Sequence, residues 1–194
     1  MNFSAVILAG GKSSRMGRDK AFVEVGGQTL LARQILIVRQ AGASEVLISG
    51  RAGVDYSVFD CRVIEDKFQE AGPLAGIERA LNIAANSLLL VLAVDMADMS
   101  GDFLKNFSAH GQDGLGAVPV VNGIIEPLAA FYPKATAGLI QKILAESSPA
   151  RVPGAKHFAE QCLQKGFSRF IPVPPAASGF FKSWNSPTDL PPTA

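Results

Sequence analysis

The chain has 194 residues, of which 48% are hydrophobic and 18% charged, with a formal net charge of +1 and a positive mean hydropathy. This composition excludes a disordered chain and, lacking a broad basic surplus, a protein built to coat nucleic acid. At this length folding buries roughly 70% of the unfolded chain's surface. That supports one core without disulfide or metal staples and is short for two, so a single α/β domain over residues 1–194 is expected.

Residues 3–9 (FSAVILA) are a β-rich run ending in Gly10-Gly11, so a first strand feeds a Gly-rich loop. Leu30, Leu31, Ile35, Val38 and Ala41 recur at helical spacing, predicting a helix over 28–41 with Gly42 as its stop. Residues 45–49 read as a second strand, and Val63-Ile64 as a short third ending in Glu65-Asp66. Pro73 opens a helix that runs to about residue 85, near N1 where the missing N–H costs nothing. Residues 88–94 (LLLVLAV) are apolar throughout, the pattern of a strand covered on both faces. Strands alternating with helices in this way predict a parallel α/β sheet.

After Asp95 come a helix near 101–108, strands near 115–120 and 126–132, helices near 135–146 and 155–164, and a strand near 169–173. The tail from Pro172 holds six of the twelve prolines, and little regular structure is expected there. No segment repeats.

Cys61 and Cys162 have neither CxxC spacing nor a histidine at ligand spacing, so both read as reduced, mostly buried thiols. No apolar run approaches the ~20 residues of a membrane span. The N-terminus enters a strand without a signal-peptide pattern, and a cytoplasmic protein is expected. His110 and His157 read as surface residues. No Ser/His/Asp or Cys/His constellation points to hydrolase or thiol chemistry.

The charge is unevenly spread. Residues 10–20 (GGKSSRMGRDK) carry Lys12, Arg15, Arg18 and Lys20 against Asp19 alone. The glycines let backbone N–H groups approach a ligand, and the cations supply the countercharge of a polyphosphate. The loop leaves the carboxyl end of a strand, where open α/β sheets bind ligands. The bland alternative is a solvated turn. Gly11-Lys12-Ser13 is not a Walker A motif, because Val6 stands where its first glycine is required. Gly-x-Gly-x-x-Gly fails as well.

Residues 8–20 (LAGGKSSRMGRDK) resemble the signature L-A-G-G-x-S-x-R-M-G-x-D-K of the molybdenum cofactor guanylyltransferases. Four further segments resemble that family in order: Glu65-Asp66 with GPLAG at 72–76, Asp95, EPLAAFY at 126–132 and FKSWNSPTDL at 181–190. The resemblance implies a three-layer Rossmann-like nucleotidyltransferase fold with a mainly parallel, mixed central sheet. It places nucleotide binding in the N-terminal half and the acceptor side in the C-terminal half. The implied reaction joins the phosphate of molybdopterin to the α-phosphorus of GTP and expels pyrophosphate, with Mg²⁺ as cofactor. GTP and molybdopterin are the implied partners, with molybdoenzyme-delivery proteins as a further class and no nucleic acid or membrane.

On this resemblance Leu8, Ala9, Gly10, Gly11, Ser49, Asp66, Gly72, Pro73, Leu74 and Gly76 bind the nucleotide. Arg15 and Lys20 hold its phosphates, and Asp95 holds the metal. Glu126, Pro127 and Asn185 belong to the acceptor side. The residues themselves leave alternatives. Asp95 either binds metal or caps the next helix; Asp98 is read as that helix's N-cap, or else a second ligand; Asp66 could cap a loop. Trp184 is read as a core side chain, with stacking on a pterin as the alternative. Two positions depart from the family: AVDMA at 93–97 replaces P-C-D-x-P, losing rigid prolines but not the carboxylate, and Ser49 stands where an Asn is usual. A cytidylyltransferase and a non-catalytic nucleotide-binding regulator are the rival readings. LAGG and GPLAG favour guanine, since cytidylyl relatives tend toward L-A-A-G.

Overall fold

The computed structural model describes residues 2–10, 19–65, 71–111, 114–147, 152–184 and 189. The strands are β1 (Phe3–Leu8), β2 (Glu24–Val25), β3 (Gln28–Thr29), β4 (Ala43–Ser49), β5 (Arg62–Ile64), β6 (Leu88–Ala93), β7 (Gly116–Val121), β8 (Ile124–Ile125), β9 (Ala129–Pro133) and β10 (Ser168–Pro172). The helices are α1 (Leu30–Gln40), α2 (Pro73–Ile83), α3 (Gly101–Phe107), α4 (Ala137–Glu146) and α5 (Ala155–Gln164).

The main sheet runs β10-β7-β9-β6-β1-β4-β5, with β8 paired to β7. β5, β4, β1 and β6 are mutually parallel, β9 runs antiparallel to β6 and β7, and β10 is parallel to β7. This is the mixed, mostly parallel sheet that the sequence predicts. Its central strands read as continuous apolar runs because both faces are covered: all six residues of β6 are buried. On one face α1 and α3 pack over Phe3, Ile7, Leu90, Leu92 and Phe131. On the other, α2, α4 and α5 cover Val6, Leu89, Val91 and Tyr132. Phe3 and Phe131 meet edge to face, their ring centres 5.1 Å apart.

The departures from the predicted elements are local. The helix expected over 28–41 begins at Leu30, because Gln28 and Thr29 pair with β2 in a small hairpin turned by Gly26-Gly27. Thr29 caps it, accepting from the Ala32 N–H at 3.2 Å. The strand expected from residue 126 starts at Ala129. Asp98 does not cap α3; Ser100 does, accepting from the Phe103 N–H at 3.2 Å, while Asp98 serves Trp184. The proline-rich tail contains a 3-10 segment, Pro175–Phe181, whose aromatic rings dock on α3. Prolines forbid helix interiors but suit such turns, which composition alone does not reveal.

Cys162 is buried, which pushes its thiol up to about 12, whereas Cys61 is only half-buried. His110 and His157 are exposed, as expected. Among the described residues no helix is long and apolar enough to cross a membrane.

Candidate active site

Parallel pairing brings three strand ends to one edge. Leu8 of β1 lies opposite both Ser49 of β4 and Ala93 of β6. The chain stays laced just beyond: the Ala9 N–H donates to Ser49 O at 2.8 Å and the Val94 N–H to Leu8 O at 3.2 Å. β4 and β6 flank β1 on opposite sides although β1 precedes both, so the chain order reverses there. Such reversal points are where open α/β sheets bind ligands.

Two charged side chains meet at this edge. Lys20 Nζ donates to Asp95 Oδ2 at 3.0 Å, with both side chains about four-fifths buried. Residues 20–22 form a 3-10 turn that Asp19 caps, its Oδ1 accepting from the Ala21 N–H at 3.1 Å. Asp95 lies two residues beyond Ala93, the last residue of β6. Asp95 does not cap α3, so the alternative open in the sequence is removed and its carboxylate is left at the strand ends.

Ser49, Gly72 and Gly76 also gather here. Gly72 has φ +58° and supplies the turn into α2 that a side-chain-bearing residue resists. Pro73 follows at the first helical position. Leu74, in the first turn of α2, is fully buried, so its side chain serves the core. Gly76 lets α2 approach the strand ends: a Cβ there would overlap Ser49 Oγ and press on Leu8 Cδ2. Gly76→Ala gains about 1 kcal/mol of helix propensity but overpacks a site with no room, at about 3 kcal/mol. A net loss of about 2 kcal/mol is expected, read as a lower thermal midpoint.

The acceptor-side candidates flank the same edge. Ala93 donates its N–H to Leu128 O at 2.8 Å, which sets the 126–128 turn beside the end of β6. Pro127 O accepts from Tyr132 Oη at 3.0 Å. Glu126 is half-buried, and that burial raises its carboxyl above the usual carboxylate range. The proposed contacts of Gly11, Arg15, Asp66 and Asn185, and the loop cations Lys12 and Arg18, lie outside the described residues. Trp184, next to Asn185, is 6% exposed and belongs to the core, as expected. It also reaches the site, through its backbone N–H to Asp95 O and its indole N–H to Asp98 Oδ2, both at 2.9 Å.

Several residues that the sequence reading passed over hold the site together. Arg51 lies two residues past β4 with Nη1 3.9 Å from Asp19 Oδ2, and its backbone N–H donates to Tyr56 Oη at 3.0 Å. Tyr56 packs so closely on Gly50 that a Cβ there would overlap the ring, and it stacks on Phe22. On α1, Gln34 and Arg33 bond to the chain around Asp95. Only Arg51 had a signal in the sequence, as a cation just after a strand end. A polar Gln34 inside an apolar stripe reads as noise until its partners are known.

Among the described residues no cluster of three or more His, Cys, Asp or Glu could hold a metal by itself. A hard carboxylate with a substrate triphosphate beside it suits Mg²⁺, which takes one or two carboxylates and fills its octahedron with phosphate and water oxygens. Asp95 and the neighbouring cation fit that arrangement.

Known proteins resemble the chain at both levels. A protein named "Probable molybdenum cofactor guanylyltransferase" from Opitutus terrae is 34% identical over 189 residues, covering 96% of this chain and 92% of its own. The crystal structure of molybdopterin-guanine dinucleotide biosynthesis protein A from Archaeoglobus fulgidus superposes with a TM-score of 0.74 at 20% identity, over 97% of this chain and 94% of that one. That of 2-C-methyl-D-erythritol 4-phosphate cytidylyltransferase from Thermus thermophilus superposes with 0.70 at 22%, over 97% and 95%. The two structural likenesses speak for the fold. The family model described as the MobA-like NTP transferase domain matches residues 5–161, and with that match and the Opitutus relative the chain belongs to the MobA-like NTP transferase family.

Proposed function

We propose that the protein transfers GMP from GTP to the phosphate of molybdopterin, releasing pyrophosphate, with Mg²⁺ as cofactor. The observation that carries this reading is the Lys20–Asp95 pair at the carboxyl ends of β1 and β6, at the exit of the Gly-rich loop. The two opposite charges lie 3.0 Å apart. A triphosphate offers Lys20 new negative charge and a divalent cation offers Asp95 new positive charge, so binding exchanges one ion pair for two. When bound, Mg²⁺ would supply charge neutralisation of the phosphates, held by Asp95.

In-line transfer asks for positioning and charge stabilisation more than proton movement. The acceptor phosphate oxygen attacks the α-phosphorus, and the bond to the β-phosphate oxygen breaks. Lys20 stabilises the charge that gathers on the departing pyrophosphate. The turn over 126–128 lies beside the end of β6, where an acceptor would approach the α-phosphorus. Leu8, Ala9, Gly10 and Ser49, on the β1 and β4 side, surround the nucleotide in this reading. The 34% identity, over nearly the whole chain, to a protein named probable molybdenum cofactor guanylyltransferase supports guanine. The fold is equally compatible with a cytidylyltransferase, since the two structural likenesses are of similar closeness.

Thermal shift with Mg²⁺ and GTP, CTP or ATP separates these readings. GTP is expected to raise the midpoint selectively; a ligand at a hundred times its Kd stabilises by about 2.7 kcal/mol. An equal response to CTP would defeat the guanylyl assignment, and no response to any nucleotide would favour the regulator.

A further inference from the structure

We infer that Gln34 is a positioning residue for Asp95: from the buried face of α1 its amide grips the backbone carbonyls on both sides of that carboxylate and fixes where it points. The inference rests on the proposed role of Asp95. Gln34 is fully buried on a stripe otherwise made of Leu30, Leu31, Ile35 and Val38. Placing an amide there costs free energy unless it is bonded. Nε2 donates to Met96 O at 2.7 Å and more weakly to Val94 O at 3.5 Å, and Oε1 finds no hydrogen-bond partner among the described residues. A residue kept only for packing would be an aliphatic one. With no partner for Oε1 among the described residues, the bonds made by Nε2 are what the amide contributes.

The neighbouring carbonyls are held as well. Asp95 O accepts from the Trp184 N–H at 2.9 Å and Ala97 O from Arg33 Nη2 at 3.2 Å. Four consecutive carbonyls, 94 to 97, are therefore bonded by groups from α1 or the C-terminal segment. The sequence 93–97 contains no proline, so this turn has no rigidity of its own. The side chains of α1 provide it from outside, as partners behind a ligand commonly do.

The test uses the full chain with three variants and a control. Gln34→Met keeps the volume and removes the donor, and Arg33→Met removes the second grip from a half-buried residue where folding is not at stake. Asp95→Asn examines the underlying reading. Ile35→Val trims the adjacent buried side chain, which has no polar group to bond the turn. Two properties are read: transfer rate, separated into kcat and KM, and hydrogen exchange of the Trp184 indole in the ligand-free protein. With one tryptophan in the chain, that indole gives a single unambiguous resonance.

Gln34→Met is expected to lower kcat by about 10- to 100-fold with little change in KM. The indole hydrogen should exchange about tenfold faster, because the turn that holds Asp98 loosens. Arg33→Met should move both properties in the same direction by less, and Ile35→Val should move neither. If Gln34→Met behaves like Ile35→Val while Asp95→Asn is inactive, Gln34 is only a core residue and the inference is overturned. If Gln34→Met does not fold, unchanged kcat and exchange in Arg33→Met overturn it. Full activity in Asp95→Asn overturns the reading of Asp95 and the inference with it.

Discussion

Asp95→Asn is expected to lower the rate of nucleotidyl transfer by about 10²–10³-fold while the fold survives. Asparagine keeps the shape of the side chain and removes its charge. The backbone of the turn is anchored by Leu8, Gln34 and Trp184 through its main-chain groups and not through the carboxylate, so the turn stays in place. The lost Lys20 pair is partly exposed and contributes little to stability, about 1 kcal/mol or less. Lys20→Ala should also suppress transfer, by removing the cation proposed to stabilise the leaving group. Because the two groups are 3.0 Å apart and serve one site, the double variant should lose far less than the product of the single losses. Steady-state rates of the four proteins, with thermal midpoints as the control for folding, check this. Multiplicative losses would mean that Lys20 and Asp95 act at separate places.

Trp184→Ala is expected to have the largest effect on stability, about 3 kcal/mol or more, as for other large aromatic truncations. For a chain of this size that lowers the thermal midpoint by roughly 6–12 °C. The indole packs in the core with Phe181 close by in sequence, and its N–H satisfies Asp98. Trp184→Phe should recover most of the burial but not that bond, and fall between. Activity should decline with Trp184→Ala as well, because the C-terminal segment then loses its indole anchor and keeps the backbone bond to Asp95 O. Were the indole a stacking surface for a pterin, Trp184→Ala would raise KM for the acceptor and leave the midpoint unchanged. Its burial argues for the first outcome.

Most of the strands and helices of the main sheet, the strand edge proposed for the site, and the family resemblance were legible in the residues themselves. Local signals suffice for these. Residues 88–94 are apolar because β6 is covered on both faces, and the glycines and cations of residues 10–20 stand just after the first strand in the sequence. The pairing of Lys20 with Asp95 was legible only as two separate expectations. Seventy-five residues separate them, and register between β1 and β6 is what brings them to 3.0 Å.

Other roles depend on partners distant in the chain. Asp98 looked like a helix cap from its place before α3, but Ser100 is one residue from that helix and takes the role. Asp98 is then free to meet an indole from the far end of the chain. The proline-rich tail looked irregular and instead docks its aromatic rings on α3. Gln34 drew no expectation from the sequence and bonds the turn around Asp95. The difference has one physical cause. Backbone propensity and hydrophobic period act over a few residues and are written locally. A buried polar group is defined by its partner, and here each partner lies sixty or more residues away.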